Sequence, residues 1–107
     1  WYDGNPANLK PAPESQLARE LCDLAGGAAS LAARAQALAE RDEWRLACHL
    51  IEIAARAVPE DRAVHGVRAE IYRARRKRET SLMAKGIFGH AARRSEAIAS
   101  GDRSRDA

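Results

Sequence analysis

Histidine and cysteine are the residues of this chain best suited to metal or nucleophilic chemistry, and their spacing argues against both. The three histidines, His49, His65 and His90, fall in three separate helical stretches, with no second His or Cys at zinc-ligand spacing. His49 and Glu52 lie three apart on one helix face, a geometry that supplies two metal ligands but needs two more from elsewhere. A solvated or ion-paired strip explains the same two residues with no further partner. The two cysteines, Cys22 and Cys48, form neither a disulfide framework nor a four-ligand set. Cys22 lies with Ala18 and Ala25, and Cys48 with the apolar face of its helix, so both read as small hydrophobes. No nucleophile stands beside a base, so no catalytic, cofactor-binding or metal-binding residue is assigned.

The sharpest charge run, Arg73, Arg75, Arg76, Lys77 and Arg78, suggests a nucleic-acid surface. Cations in the last turn of a helix also suit the negative end of its dipole, and only Tyr72 is at hand to stack on a base. The net charge of +3 arises from 18 basic and 15 acidic residues, a mixed surface with a small imbalance. No nucleic-acid partner is therefore expected. No membrane partner is expected either, since no run approaches the ~18 apolar residues of a spanning helix. The opening Trp1-Tyr2-Asp3-Gly4 lacks the basic start and apolar core of a signal peptide, which with the two unpaired cysteines suggests the cytoplasm.

The elements that must position these residues are helices. The 107 residues fit one compact domain, and 24 Ala and 15 Arg against 1 Phe and 2 Tyr indicate an all-α fold. The Ala and Arg excess also suits a GC-rich bacterial genome. Residues 1–13, with three prolines, read as an extended N-terminal connector. About five helices follow. The first spans 14–24 with Leu17, Leu21 and Leu24 as its stripe, and Gly26-Gly27 stops it. The second spans 28–41 with Leu31, Ala35 and Leu38 on one face, and Asp42 is placed to cap the next.

The third, 43–58, is apolar on two faces, one carrying Trp44, Ala47, Cys48, Ile51 and Ala54, the other Leu46, Leu50 and Ile53. Such a helix must be covered from two sides and belongs at the centre. Pro59 ends it, and Asp61 caps a fourth that runs to about 78 with Val64, Val67, Ile71 and Ala74 inward. Thr80 or Ser81 caps a fifth that runs to about 100 with Met83, Ile87, Ala91 and Ile98 inward. Gly86 and Gly89 inside it should mark close backbone approach or a bend. The tail 101–107 is patternless and expected to be disordered.

Small and large residues alternate from Leu31 to Pro59 in a manner similar to the tetratricopeptide helical hairpin. The pattern restarts with Ala69 and Tyr72 and then fails at Ser81 and Lys85, about one and a half repeats where a solenoid needs roughly three. With its opening Trp1-Tyr2-Asp3-Gly4-Asn5-Pro6-Ala7-Asn8-Leu9, then Pro11 and Pro13, the chain resembles alkyl sulfatases of the metallo-β-lactamase superfamily at the junction between catalytic and dimerisation domains. Gly26-Gly27, the Arg41-Asp42-Glu43-Trp44 turn and the Ala54 to Pro59 helix end continue the likeness to about residue 98. Thr80 to Ala92 departs from it, and a related metallo-hydrolase of another ester or thioester fits the same features.

The resemblance implies a homodimer, with residues 14–100 as a helical dimerisation domain. It also implies an upstream metallo-β-lactamase-fold domain in the same chain, hydrolysing sulfate esters with two zinc ions held by an H-x-H-x-D-H motif. That motif is not matched here, so the resemblance gives this stretch no zinc of its own. With no initiator methionine at Trp1, the chain is expected to be part of a longer one. Trp1, Tyr2, Asp3, Gly4, Asn5 and Asn8 then form the catalytic-domain junction. Leu17, Leu21, Leu24, Met83, Ile87 and Phe88 are the candidate dimer contact, because their stripes are least accounted for within the chain. The alternative is an independent tetratricopeptide-like adaptor that binds a peptide.

Overall fold

A computed structural model describes residues 3–101; the expectations for Trp1, Tyr2 and 102–107 lie outside the described residues. A short 3-10 turn, Pro6–Leu9, precedes five helices: α1 (Glu14–Leu24), α2 (Ala28–Glu40), α3 (Trp44–Ala57), α4 (Arg62–Arg78) and α5 (Leu82–Ser100). The described residues contain no strand, as an all-α reading requires.

Local chemistry sets the boundaries. Gly26 and Gly27 adopt positive φ (+94° and +115°) and close α1, with the Gly27 N–H donating to the Cys22 carbonyl at 2.7 Å. Asp61 caps α4 by accepting from the Val64 N–H at 2.9 Å, and Ser81 caps α5 by accepting from Ala84 N–H at 3.3 Å. Asp42 is a correction. It does not cap α3 but sits at φ +61° as the left-handed residue that ends α2. Its N–H donates to the Ala39 carbonyl and that of Glu43 to the Leu38 carbonyl, the paired bonds of a Schellman ending.

Helix α3 is central, packing against α1, α2 and α4, while α5 packs against α4 alone. Ala47, Ile51 and Ala54 of α3 are fully enclosed, with Ala32, Ala35 and Leu38 of α2 and Val64, Ile71 and Tyr72 of α4 around them. On its second face Leu50 and Ile53 are half-buried, but Leu46 is exposed. Ala18 and Cys22 of α1 meet Ala57 and Ile53 in a smaller satellite core.

The inward faces of α1 and α5 differ from the expected ones. In α1, Ala18 and Cys22 face the body and Leu17, Leu21 and Leu24 face out. In α5, Gly89, Ala92, Ser95 and Ala97 are buried, while Met83 and Ile87 are exposed. Small side chains on these faces let the helix backbones come close, and the larger apolar ones are left on the opposite side. Gly89 behaves as expected, since a Cβ there would meet the Arg76 side chain at 2.9 Å; Gly86 does not, because nothing lies within 4 Å of that position.

Candidate interaction surfaces

The connector holds itself together. Asp3 accepts from the Asn5 N–H (2.9 Å) and from Asn8 Nδ2 (2.7 Å), and Asn5 Oδ1 accepts from the Ala7 N–H (3.1 Å). Gly4 at φ +88° makes the turn possible. The Asn5 N–H, then Asn8, hold the Asp3 carboxyl below the usual carboxylate range. No residue of the 3-10 turn is buried, and it packs against none of the five helices. Asp3, Gly4, Asn5 and Asn8 thus present a preformed polar turn to whatever adjoins it.

The proposed contact residues fall on two surfaces, which the structure does not bring together. Leu17 and Leu24 of α1 are 55% and 84% exposed, with Leu21 between them. Met83 and Ile87 of α5 are 78% and 61% exposed, but α5 does not touch α1. Phe88 turns inward instead, stacking on Tyr72 with ring centroids 5.8 Å apart and lying under the Arg75 guanidinium at 4.7 Å. Leu82 is an exposed apolar side chain that the sequence pattern did not single out, and Leu46, expected on the second apolar face of α3, is exposed as well. A groove of about 450 Å3 opens beside Trp44 and Leu46, walled by Glu43, Arg75, Arg78 and Glu79.

The basic run is largely engaged within the chain. Arg73 pairs with Glu96, and Arg75 donates to Cys48 Sγ at 3.2 Å. Arg76 donates to the Lys85 carbonyl, and Arg78 pairs with Asp42 at 3.2 Å while covering the Trp44 ring. These bonds tie the end of α4 to α3 and α5. They engage four of the five cations of the run, and Lys77 is exposed.

What sequence reasoning missed is a polar cluster joining α3, α4 and α5. His65 is buried, with Nε2 2.7 Å from the Pro59 carbonyl and Nδ1 2.9 Å from Ser95 Oγ. The carbonyl can only accept, so Nε2 carries the hydrogen, and in that tautomer Nδ1 accepts from the Ser95 hydroxyl. Ser95 Oγ in turn accepts from Arg68 Nη1 at 2.8 Å. Arg68 also donates to the Ala91 carbonyl and to Glu52, and the Tyr72 hydroxyl donates to Glu52 at 3.1 Å. Burial, then the Glu52 carboxylate, pushes the Tyr72 phenol well above its usual range. The only signal in the sequence was a serine at an inward register position of a helix.

This arrangement fits neither a nucleophile nor a metal. Both ring nitrogens of His65 and both oxygens of Glu52 are engaged, and His49 and His90 are exposed on different helices. No cluster of three His, Cys, Asp or Glu side chains among the described residues is placed to hold a metal ion. Cys22 and Cys48 are buried, and burial raises the Cys22 thiol above its usual range. Outside this cluster the molecule exposes the polar turn, the groove beside Trp44 and two apolar helix faces.

A family model for alkyl sulfatase dimerisation matches residues 1–97. The alkyl/aryl-sulfatase BDS1 of Saccharomyces cerevisiae is 42% identical over 45 residues, covering 42% of this chain and 7% of that protein. The matched stretch is therefore a small part of that relative's length. With the family model spanning the connector and nearly all of the helical body, the chain belongs to the alkyl sulfatase dimerisation family.

Proposed function

We propose that this chain is the dimerisation module of a hydrolase of the alkyl sulfatase type, joining two copies through its helical body. The observation that carries this is the family match over residues 1–97. The structure supports it physically, because a small domain exposes two separate apolar helix faces, Leu17 and Leu24 on α1 and Leu82, Met83 and Ile87 on α5. Soluble monomers seldom present apolar faces beyond a few hundred Å2 without a partner. In this reading the polar turn at Asp3–Asn8 abuts a metallo-β-lactamase-fold domain of the same chain. That domain carries two zinc ions and the hydrolysis of sulfate esters, in the cytoplasm; the residues described here supply neither ligand nor nucleophile.

Light scattering on a size-exclusion column tests the assembly. At tens of micromolar the chain is expected at about twice its 11.7 kDa mass. A monomeric mass at every concentration, with helicity unchanged, overturns the reading in favour of a monomeric peptide-binding adaptor. Metal analysis after dialysis tests the division of labour, since one tightly held zinc per chain contradicts it.

A further inference from the structure

The exposed face of α5 contains an oddity that its own chain does not explain. Met83, Gly86, Ile87 and His90 follow the i, i+3, i+4, i+7 spacing of one helix face, and all four are exposed. A glycine in a helix interior is disfavoured relative to alanine, and Gly89 on the neighbouring face has its reason in the close Arg76 side chain. Gly86 has none, since the space above it is empty to 4 Å. It leaves a notch between two of the most exposed large apolar side chains of the molecule, Met83 and Ile87, with Leu82 at its edge.

We infer that the partner seated on this face is α5 of a second copy, crossing antiparallel so that Ile87 of each copy fills the notch over Gly86 of the other. The inference rests on the dimer reading above and names the surface that makes it. Two features favour a second copy over a foreign partner. The face carries both the projection and the notch that receives it, as a two-fold contact requires. Centring the pair between Gly86 and Ile87 sets Met83 opposite His90 of the other copy. Finally, Leu82, Met83 and Ile87 from both copies supply an apolar centre of the kind found in an interface of about 800 Å2 per partner. The α1 leucines, directly after the connector, are left for a different neighbour.

The register can be tested by crosslinking the intact chain. In a Met83→Cys/His90→Cys variant the two positions are seven residues apart along one helix, about 10 Å, too far for a bond within a chain. Across the inferred pair they face one another, so mild oxidation should give a covalent dimer, with Cys22 and Cys48 buried and inert. Dissociation supplies an independent measure. Ile87→Asp and Gly86→Leu, both at exposed positions, should weaken the dimer about thirtyfold or more, with helicity retained and Leu21→Asp without effect. If the chain is a dimer that Leu21→Asp dissociates while Ile87→Asp and Gly86→Leu do not, the α5 assignment is overturned and the dimer reading stands. Failure of the cysteine pair to crosslink in a chain that is still dimeric also overturns it. A chain that is monomeric throughout removes both.

Discussion

Replacing Ser95 by alanine separates two accounts of what holds α5 to α4. Judged as a helix residue alone, Ser95→Ala should stabilise the protein by up to about 0.5 kcal/mol, because alanine is the better helix former. The structure predicts the opposite sign. Ser95 is 0% exposed, and its hydroxyl donates to His65 Nδ1 at 2.9 Å while accepting from Arg68 Nη1 at 2.8 Å. Alanine leaves the buried imidazole nitrogen without a donor, a cost of about 1–3 kcal/mol, whereas Arg68 keeps the Ala91 carbonyl and Glu52. The net loss expected is about 2 kcal/mol, which for a domain of this size lowers Tm by roughly 10 °C. Urea and thermal unfolding followed by far-ultraviolet circular dichroism, at one fixed protomer concentration, measures it. The His65→Leu/Ser95→Ala double variant supplies the control, since removing both partners should cost less than the two single changes added together. An unchanged or raised Tm for Ser95→Ala would refute the network. Additive costs would show that the two side chains do not act through one another.

Three further outcomes follow from other sites. Ala54 is fully enclosed where α3 meets its neighbours, so Ala54→Leu should cost about 1–3 kcal/mol by overpacking, read as a lower urea midpoint. At Asp42, φ +61° strains an L-residue by about 1–2 kcal/mol, more than its exposed pair with Arg78 returns. Asp42→Gly should therefore raise stability by up to about 1 kcal/mol and Asp42→Val lower it, both checked by urea unfolding. The Tyr72 phenol has a folded pKa raised above the ordinary 10.0, so its contribution to stability is complete below about pH 10 and is lost as pH rises beyond that. In a Tyr2→Phe chain, near-ultraviolet titration should show no tyrosinate until the alkaline unfolding transition; ionisation near pH 10 with helicity intact contradicts the burial.

The readable parts of the fold were those governed by neighbours in sequence. Gly26-Gly27, Asp61 and Ser81 end or begin helices through bonds within five residues, Pro59 follows the end of α3 with no N–H to continue it, and each lies where the sequence places it. Asp42 ends α2 rather than capping α3 because aspartate suits both an N-cap and a left-handed turn, and local sequence does not choose between them. The link from His65 to Ser95 spans 30 residues and depends on how α4 and α5 are phased, which no local pattern encodes. Periodicity likewise gave the spacing of the stripes in α1 and α5 but not which side turned inward.

The inward turn of the small-residue faces bears on function. In a chain with 24 alanines, close helix approach is achieved by putting the alanines between the helices, and a core built that way has little room for leucine. Among the described residues the largest fully enclosed side chains are Ile51, Val64 and Ser95, whereas Leu17, Leu24, Leu82, Met83 and Ile87 lie outside. Placing the small residues inward stabilises the monomer through tight packing and exports the larger apolar groups to the surface. The same choice of faces that makes the fold also leaves it with apolar surface that only a neighbour can bury. A dimerisation domain is the economical outcome of such a sequence: its association faces are what remains once its own helices have packed.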